Sequence, residues 1–165
     1  MRKPIIGVMG TGDAATASDR RLAFELGQLV AQQGWILLTG GRDVGVMDAA
    51  SRGAKQADGL TIGILPSEND EGMSAAIDIP IFTGMGSARN NINVLTSNVI
   101  IACGMSAGTA SEIALALKAE KPVILLCPVQ DSQTFFRSLA PHLVSVASTP
   151  AGAIEVAAVL LAKSC

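Results

Sequence analysis

Aromatic residues are scarce in this chain of 165 residues, which has four Phe, one Trp and no Tyr. Charged residues make up only 16% of the sequence, and the formal net charge is −2. Proteins that bind nucleic acids ordinarily present a basic surface and aromatic rings for stacking, so we expect no nucleic-acid partner. A core with so few aromatics must be built from Ala, Val, Ile and Leu.

Long hydrophobic runs are also absent, although the mean hydropathy is positive. The longest apolar runs span about eight residues, whereas a membrane-spanning helix needs about 20. Residues 1–4 lead directly into a strand-like run, so we expect neither a membrane segment nor a secretory signal. The cytoplasm is the expected compartment.

Cysteine and histidine are too few to suggest a metal site or a nucleophilic triad. The chain has three Cys, without metal-ligand spacing, and one His. Cys103 and Cys127 each end an apolar run, and we expect both to be small buried residues. Cys165 is predicted to be a free tail thiol and His142 a solvated or structural residue. No disulfide framework and no protein-bound metal are predicted.

Short β-branched runs alternate with Ala-rich stretches along the chain. Strands are predicted at residues 5–9, 35–39, 61–65, 79–83, 98–102, 123–127 and 143–147. Helices are predicted at residues 18–33, 46–56, 87–97, 109–119, 135–139 and 150–163, with Ser18 as the first N-cap. Strands that are apolar throughout are buried on both faces, and alternation with helices implies parallel pairing. The sequence therefore predicts one α/β domain over residues 1–165: a Rossmann-like, doubly wound, mainly parallel sheet of about seven strands with helices on both faces.

Four glycine clusters follow predicted strands, at the edge where an open α/β sheet has its ligand crevice. They are Gly10-Thr11-Gly12, Gly40-Gly41 with Gly45, Gly84-Met85-Gly86, and Gly104–Gly108. Their spacing matches neither the dinucleotide fingerprint nor the Walker loop. A stock nicotinamide or triphosphate motif is therefore not present.

Two of these clusters are candidate anion sites, because the first N–H groups of a helix lack intrahelical partners. Segment 104–109 predicts either a phosphate cradle or a glycine turn capped by Thr109. In segment 40–45, Arg42 offers a guanidinium suited to phosphate oxygens. The alternative there is a surface turn in which Arg42 pairs with Asp43.

Polar side chains beside the clusters are candidate ligand contacts. Arg89 lies near the start of a predicted helix, where the helix dipole disfavours a cation, and this placement indicates ligand binding rather than a surface role. Glu112 either closes a capping box with Thr109 or points into the crevice. Asn90 is a poor helix former that either caps or binds polar ligand edges.

These motifs together resemble the lonely-guy family. Segment 40–47 looks like that family's Gly-Gly-Gly-x-x-Gly-Leu-Met motif, and segment 104–112 looks like its Pro-Gly-Gly-x-Gly-Thr-x-x-Glu motif. Arg89 stands where the family has its Arg-Lys pair. Members hydrolyse the N-glycosidic bond of nucleoside 5′-monophosphates, so the resemblance implies catalytic roles for Arg89 and Glu112 and phosphate binding at the Gly-Thr helix start.

The chain departs from that motif pattern at several positions. Arg42 replaces a glycine, Asn90 replaces the lysine, and Gly104-Met105-Ser106 replaces Pro-Gly-Gly. Side chains at positions 42, 105 and 106 would crowd a cradle that brings backbone close to a nucleotide. The departures favour an anion crevice without the hydrolase reaction.

A second resemblance covers nearly the whole chain and is to the molybdenum cofactor carrier proteins of green algae. It rests on the stretches 2–10, 34–42, 86–93 and 112–119. Proteins of that family are homotetramers that bind a molybdate-bearing pyranopterin with a terminal phosphate and protect it until an apoenzyme takes it up. The resemblance implies a non-catalytic homotetramer that carries the molybdenum cofactor, a small anionic ligand, toward molybdoenzymes or cofactor-biosynthesis proteins.

The two lines of reasoning together predict one binding crevice. The predicted contacts are Gly10, Thr11, Gly40, Gly41, Arg42, Gly45, Ser87, Arg89, Asn90, Gly104, Ser106, Ala107, Gly108, Thr109 and Glu112. Two alternatives stay open. One is a nucleoside 5′-monophosphate phosphoribohydrolase that uses Arg89 and Glu112, and the other is a nucleotide-binding sensor module without turnover.

Overall fold

The computed structural model describes residues 2–163 as alternating strands and helices. The strands are β1 (Ile5–Gly10), β2 (Ile36–Thr39), β3 (Thr61–Leu65), β4 (Ile79–Phe82), β5 (Val99–Cys103), β6 (Val123–Leu126) and β7 (Val144–Ala147). The helices are α1 (Ala17–Gln32), α2 (Gly45–Gln56), α3 (Asn90–Thr96), α4 (Ala107–Lys118), α5 (Gln130–Leu139) and α6 (Pro150–Lys163). A 3₁₀ turn, Gly86–Arg89, precedes α3.

The strands form one sheet in the order β4-β3-β2-β1-β5-β6-β7. Every neighbouring pair is parallel, so the predicted Rossmann-like, doubly wound fold is confirmed and the sheet is wholly parallel. The chain winds outward from β1 to β4 and then returns to β5 on the other side of β1. This reversal between β1 and β5 is the topological switch point, where an open α/β sheet binds its ligand.

Two aliphatic cores cover the two faces of the sheet. On one face, Leu26 of α1, Val46 of α2 and Ile154 of α6 are buried against the strands. On the other face, residues of α3, α4 and α5 are buried, among them Ile113 and Phe136. Strand β5 is buried over its whole length, as its unbroken apolar run predicts.

Helices α1 and α2 approach each other at two glycines. A methyl group on Gly27 would overlap the carbonyl of Ala50, and one on Gly53 would overlap the carbonyl of Phe24. Glycine allows this approach because no Cβ separates the two backbones. The backbone N–H of Val46 also donates to the carbonyl of Thr11 at 3.0 Å, which fixes the start of α2 beside the end of β1.

The predicted starts of α1 and α5 differ from those in the structure. Thr16, not Ser18, is the first N-cap: its hydroxyl accepts from the N–H of Asp19, and the Asp19 carboxylate accepts from the N–H of Thr16, both at 3.0 Å. This reciprocal pair satisfies two N–H groups, which Ser18 inside the helix cannot do. Helix α5 begins at Gln130, five residues earlier than predicted (135 − 130 = 5).

The two described cysteines differ in environment. Cys103 is buried as predicted, and burial together with the charge of Asp19 raises the pKa of its thiol to about 12. Cys127 is exposed, so the prediction that it is buried is wrong. Its φ of 48° turns the chain at the end of β6, and its thiol donates to the carbonyl of Ser148 at 3.0 Å. Cys165 lies outside the described residues.

The described residues contain neither a candidate membrane-spanning helix nor a candidate metal-ligating group. No helix within residues 2–163 is both long enough and apolar enough to cross a membrane. Over the same residues, no group of three or more His, Cys, Asp or Glu side chains is placed to hold a metal ion.

Candidate functional site

A cleft of about 310 Å³ opens at the carboxyl ends of the strands, at the switch point of the sheet. Most of the predicted contacts line it: Gly10, Gly40, Arg42, Ser87, Arg89, Asn90, Ser106, Gly108, Thr109 and Glu112. They come from different parts of the chain and meet because parallel strands end at the same edge of a sheet. The first turn of α4 forms one wall, and the 3₁₀ turn before α3 forms another.

Arg89 is an almost fully buried cation in the wall of the cleft. Only 8% of it is exposed, and its Nε is buried without a hydrogen-bond partner. The guanidinium lies over the end of β2, where a methyl group on Gly40 would overlap its Nη1. The missing side chain of Gly40 therefore creates the space that the guanidinium fills.

The charge of Arg89 is poorly compensated by the protein. The ion pairs formed within residues 2–163 do not include it. Burial lowers its pKa, the charge of Arg42 lowers it further, and Glu112 acts in the opposite direction. A buried charge is costly unless it is paired and hydrogen-bonded. An anion placed beside Arg89 would compensate this buried charge.

Glu112 lines the same cleft and does not form the predicted capping box. It is 7% exposed, and its Oε1 accepts from Nδ2 of Asn93 at 2.8 Å. Burial raises the pKa of its carboxyl, while the hydrogen bond from Asn93 and the charge of Arg89 act in the opposite direction. In the structure, therefore, Glu112 points into the crevice, which is the second of the two predicted alternatives.

The first turn of α4 is capped by Ser106, not by Thr109. The hydroxyl of Ser106 accepts from the N–H of Thr109 at 3.2 Å, and Gly104 turns the preceding chain with a φ of 72°. The other early N–H groups of an α-helix have no intrahelical partner. Gly108, in this turn, faces the cleft, so the turn can offer N–H groups to an anion.

Arg42 also lines the cleft, and the alternative pairing with Asp43 is wrong. No ion pair between these two side chains occurs within the described chain. Instead, Arg42 forms an isolated antiparallel bridge with Met73, and the N–H of Asp43 donates to the carbonyl of Gly72 at 2.9 Å. Backbone hydrogen bonds hold the loop before α2, so the guanidinium of Arg42 is not needed to hold this loop and can contact a ligand.

Other predicted contacts lie outside this cleft. Thr11 and Gly104 line a neighbouring cavity, which shares Ser106 with the cleft. Gly45 lines a separate pocket between α1 and α2. All three residues follow strands that end at the same edge of the sheet as the cleft. The turns after these strands direct them away from the cleft.

Gly41 and Ala107 are also not among the residues that line the cleft. Gly41 is packed against Gly63 of β3, and its N–H donates to Oγ1 of Thr39 at 3.1 Å. Ala107 is exposed at the first position of α4. Their part in binding stays a prediction.

Sequence reasoning missed several cleft residues. The apolar or glycine positions are Val8, Met9, Gly12, Met47, Pro66 and Gly86. Gly12 and Gly86 belong to glycine clusters at the predicted crevice, whereas nothing in the sequence separates the other four from ordinary core and turn residues. Asn93, which lies outside the cleft lining and positions Glu112, does leave a signal, because asparagine is a poor helix former and this one lies inside a predicted helix.

Glu112→Gln should make the folded protein more stable at pH 8. Because burial raises the pKa of Glu112 in the folded state, the folded state binds this proton more tightly than the unfolded chain, and stability falls as the pH rises above the usual glutamate pKa. Glutamine keeps an acceptor for Asn93 but carries no charge. We expect a Tm increase of about 2–4 °C at pH 8 and less at pH 4, measured by calorimetry.

Glu155→Gln is the matched control, since Glu155 is exposed on α6. A pH-independent Tm shift in Glu112→Gln, or the same shift in both variants, would contradict the assigned burial penalty.

Comparison with known proteins agrees with the resemblance predicted from the sequence. The molybdenum cofactor binding protein from Rippkaea orientalis is 59% identical, covering 98% of this chain and 99% of that chain, with a TM-score of 0.96. The molybdenum cofactor carrier protein from Chlamydomonas reinhardtii is 56% identical with the same coverage and a TM-score of 0.93. An uncharacterised protein of Archaeoglobus fulgidus is 45% identical over 123 residues, 74% of this chain and 80% of that protein.

The family model of the SLOG cluster4 family matches residues 3–154, which include every strand and the whole cleft. The chain therefore belongs to the SLOG cluster4 family.

Proposed function

We propose that this protein binds the molybdenum cofactor as cargo, holds it without chemical change, and releases it to molybdoenzymes. The observation that carries the proposal is Arg89, a buried guanidinium with an unpartnered Nε in a cleft at the switch point. The cofactor's phosphate and molybdate ends are both anionic. The names of the relatives that match nearly the whole chain support this ligand.

The cleft contains groups suited to both ends of such a ligand. Arg89 and Arg42 supply guanidinium donors, and the first turn of α4 supplies N–H groups. Asn90 and Ser106 supply further polar side chains for the polar atoms of the ligand. The formal net charge of −2 does not oppose this, because attraction depends on the local field.

The protein should slow the loss of active cofactor in solution. Cofactor released from a molybdoenzyme is incubated with the purified protein, and the fraction that survives is followed by reconstituting a cofactor-free nitrate reductase. We expect a severalfold longer half-life, because bound cofactor is removed from water and oxygen. An unrelated protein of equal size is the control, and equal decay in both samples would refute carriage.

A second candidate function is hydrolysis of nucleoside 5′-monophosphates, which the shared cleft of Arg89 and Glu112 favours. In that reaction Arg89 would hold the phosphate and Glu112 would activate water or stabilise positive charge. The side chains of Arg42 and Ser106 in the cleft argue against it. The test is incubation of the protein with several nucleoside 5′-monophosphates. Release of free base by the wild type but not by Glu112→Ala would show that the protein is a hydrolase and not a carrier. Binding of adenine nucleotides without turnover would support a sensor.

We also propose a homotetramer in the cytoplasm. Edge strand β4 exposes Ile79, Ile81 and Phe82 by 41–43%, and such a surface favours burial in an assembly. Light scattering coupled to gel filtration should give four times the chain mass of 16.8 kDa. A monomer at micromolar concentration would contradict this assembly.

A further inference from the structure

A second cavity of about 430 Å³ lies beside the cleft, and Ser106 lines both. It opens at the carboxyl ends of β5 and β6, between the starts of α1 and α5. Its walls are largely apolar, with Met105, Leu125, Pro128 and Val129. A cavity of this size with apolar walls and a few polar groups is typical of a small-molecule site.

The two cavities differ in charge. Arg42 and Arg89 line the cleft, whereas neither Lys nor Arg is among the residues that line the second cavity. The ionisable side chains there are Asp19 and Cys127. A carboxylate repels phosphate and molybdate, so the second cavity is suited to a neutral group that donates hydrogen bonds.

Asp19 has one carboxylate oxygen left for such a group. Its Oδ2 accepts from the N–H of Thr16 at 3.0 Å in the capping box, and Oδ1 has no hydrogen bond within residues 2–163. Gly104 leaves space beside this oxygen, since a methyl group there would lie 3.3 Å from Oδ1. A methyl group on Gly104 would lie 2.6 Å from Oγ1 of Thr11 and 3.2 Å from Cγ of Asp19.

We propose that the second cavity holds a flat heteroaromatic ring with an amino-pyrimidinone edge, as in a pterin, and that Oδ1 of Asp19 accepts from the ring's N–H donors. The faces of the ring contact the apolar walls, and the anionic groups of the same ligand lie in the cleft beyond Ser106. This inference rests on the proposed function, because the ring is then the pterin of the carried cofactor.

The test compares two fluorescent probes, pterin and lumazine, which has a carbonyl in place of the pterin amino group. Wild-type protein should bind pterin at least tenfold more tightly than lumazine, because hydrogen bonds to a charged acceptor are stronger than those between neutral groups. Asp19→Asn keeps an oxygen for the N–H of Thr16 but presents an NH₂ group to the ring donors. We expect about 10- to 100-fold weaker pterin binding and no preference over lumazine.

Asp13→Asn, an exposed aspartate outside this cavity, is the matched control and should keep the wild-type preference. The Tm increase that inorganic phosphate causes should depend on Arg89 and not on Asp19, which separates the two cavities. Thermal unfolding of Asp19→Asn checks that the capping box is retained.

A preference for pterin that survives Asp19→Asn, or a wild-type protein that does not bind pterin, would overturn the inference. In that case, cofactor protection that still depends on Arg89 leaves the proposed function standing. If the wild-type protein protects no cofactor, the proposed function fails by itself, whatever the result with pterin.

Discussion

Arg89→Met should greatly weaken cofactor binding and yet make the ligand-free protein more stable. Removing one partner of a buried charged contact costs about 2–5 kcal/mol of binding free energy, so we expect at least 30-fold weaker binding. In the ligand-free protein, Met fills a similar volume and removes a buried charge whose Nε has no partner. The Tm should therefore rise, whereas saturating cofactor should stabilise the wild type and not the variant.

Two further variants make this result specific. Arg89→Lys keeps the charge but not the planar fork of donors, and its affinity should lie between those of Arg89→Met and the wild type. Arg21→Met removes an exposed arginine of α1 and should leave binding unchanged. Wild-type binding by Arg89→Met, or a fall in its ligand-free Tm, would contradict the assignment of Arg89 as an unpaired anion contact.

Gly27→Ala should produce a large loss of stability. The added methyl group would overlap the carbonyl of Ala50 and lie 3.0 Å from the N–H nitrogen of Ala54, and backbone atoms cannot rotate away. Helices α1 and α2 are both packed on the sheet, so separating them disrupts the core. We expect a loss of about 3 kcal/mol, which corresponds to a Tm decrease of about 6–12 °C in calorimetry.

Gly108→Ala is the control, because it also places a methyl group on a helical glycine. The methyl would lie 3.7 Å from the hydroxyl of Ser106, an ordinary contact. Alanine lowers the backbone entropy of the unfolded chain, so this variant should gain about 0.5–1 kcal/mol. Gly27→Ala with wild-type stability would show that the two helices separate without cost.

The fold and the place of the site could be predicted because both depend on features that repeat along the sequence. Unbroken apolar strands alternating with helices specify a parallel sheet, and the glycine clusters after those strands must meet at one edge. Arg89 was identified by a local conflict, a cation near a helix start, but its burial and its contact with Gly40 depend on the assembled sheet.

What the sequence could not specify is which of several similar residues has a given role. Thr16 and Ser18 are both good N-caps, and only the carboxylate of Asp19 decides between them. Ser106 and Thr109 pose the same choice at α4. Thr11 lies next to Gly10 in the chain but lines a different cavity. This could not be predicted, because the residue types in a turn do not specify the direction in which the chain leaves it.

The position of the Arg89 guanidinium over Gly40 has a kinetic consequence. The guanidinium is supported by the end of a buried strand and not by a mobile loop, so the anion contact that we propose needs no rearrangement when the ligand arrives. Capture then requires little rearrangement of the chain, and the association rate should be set by encounter. The residence time of the cofactor should then be set by its dissociation, and the transfer that we propose would require a recipient that competes for the same anionic groups.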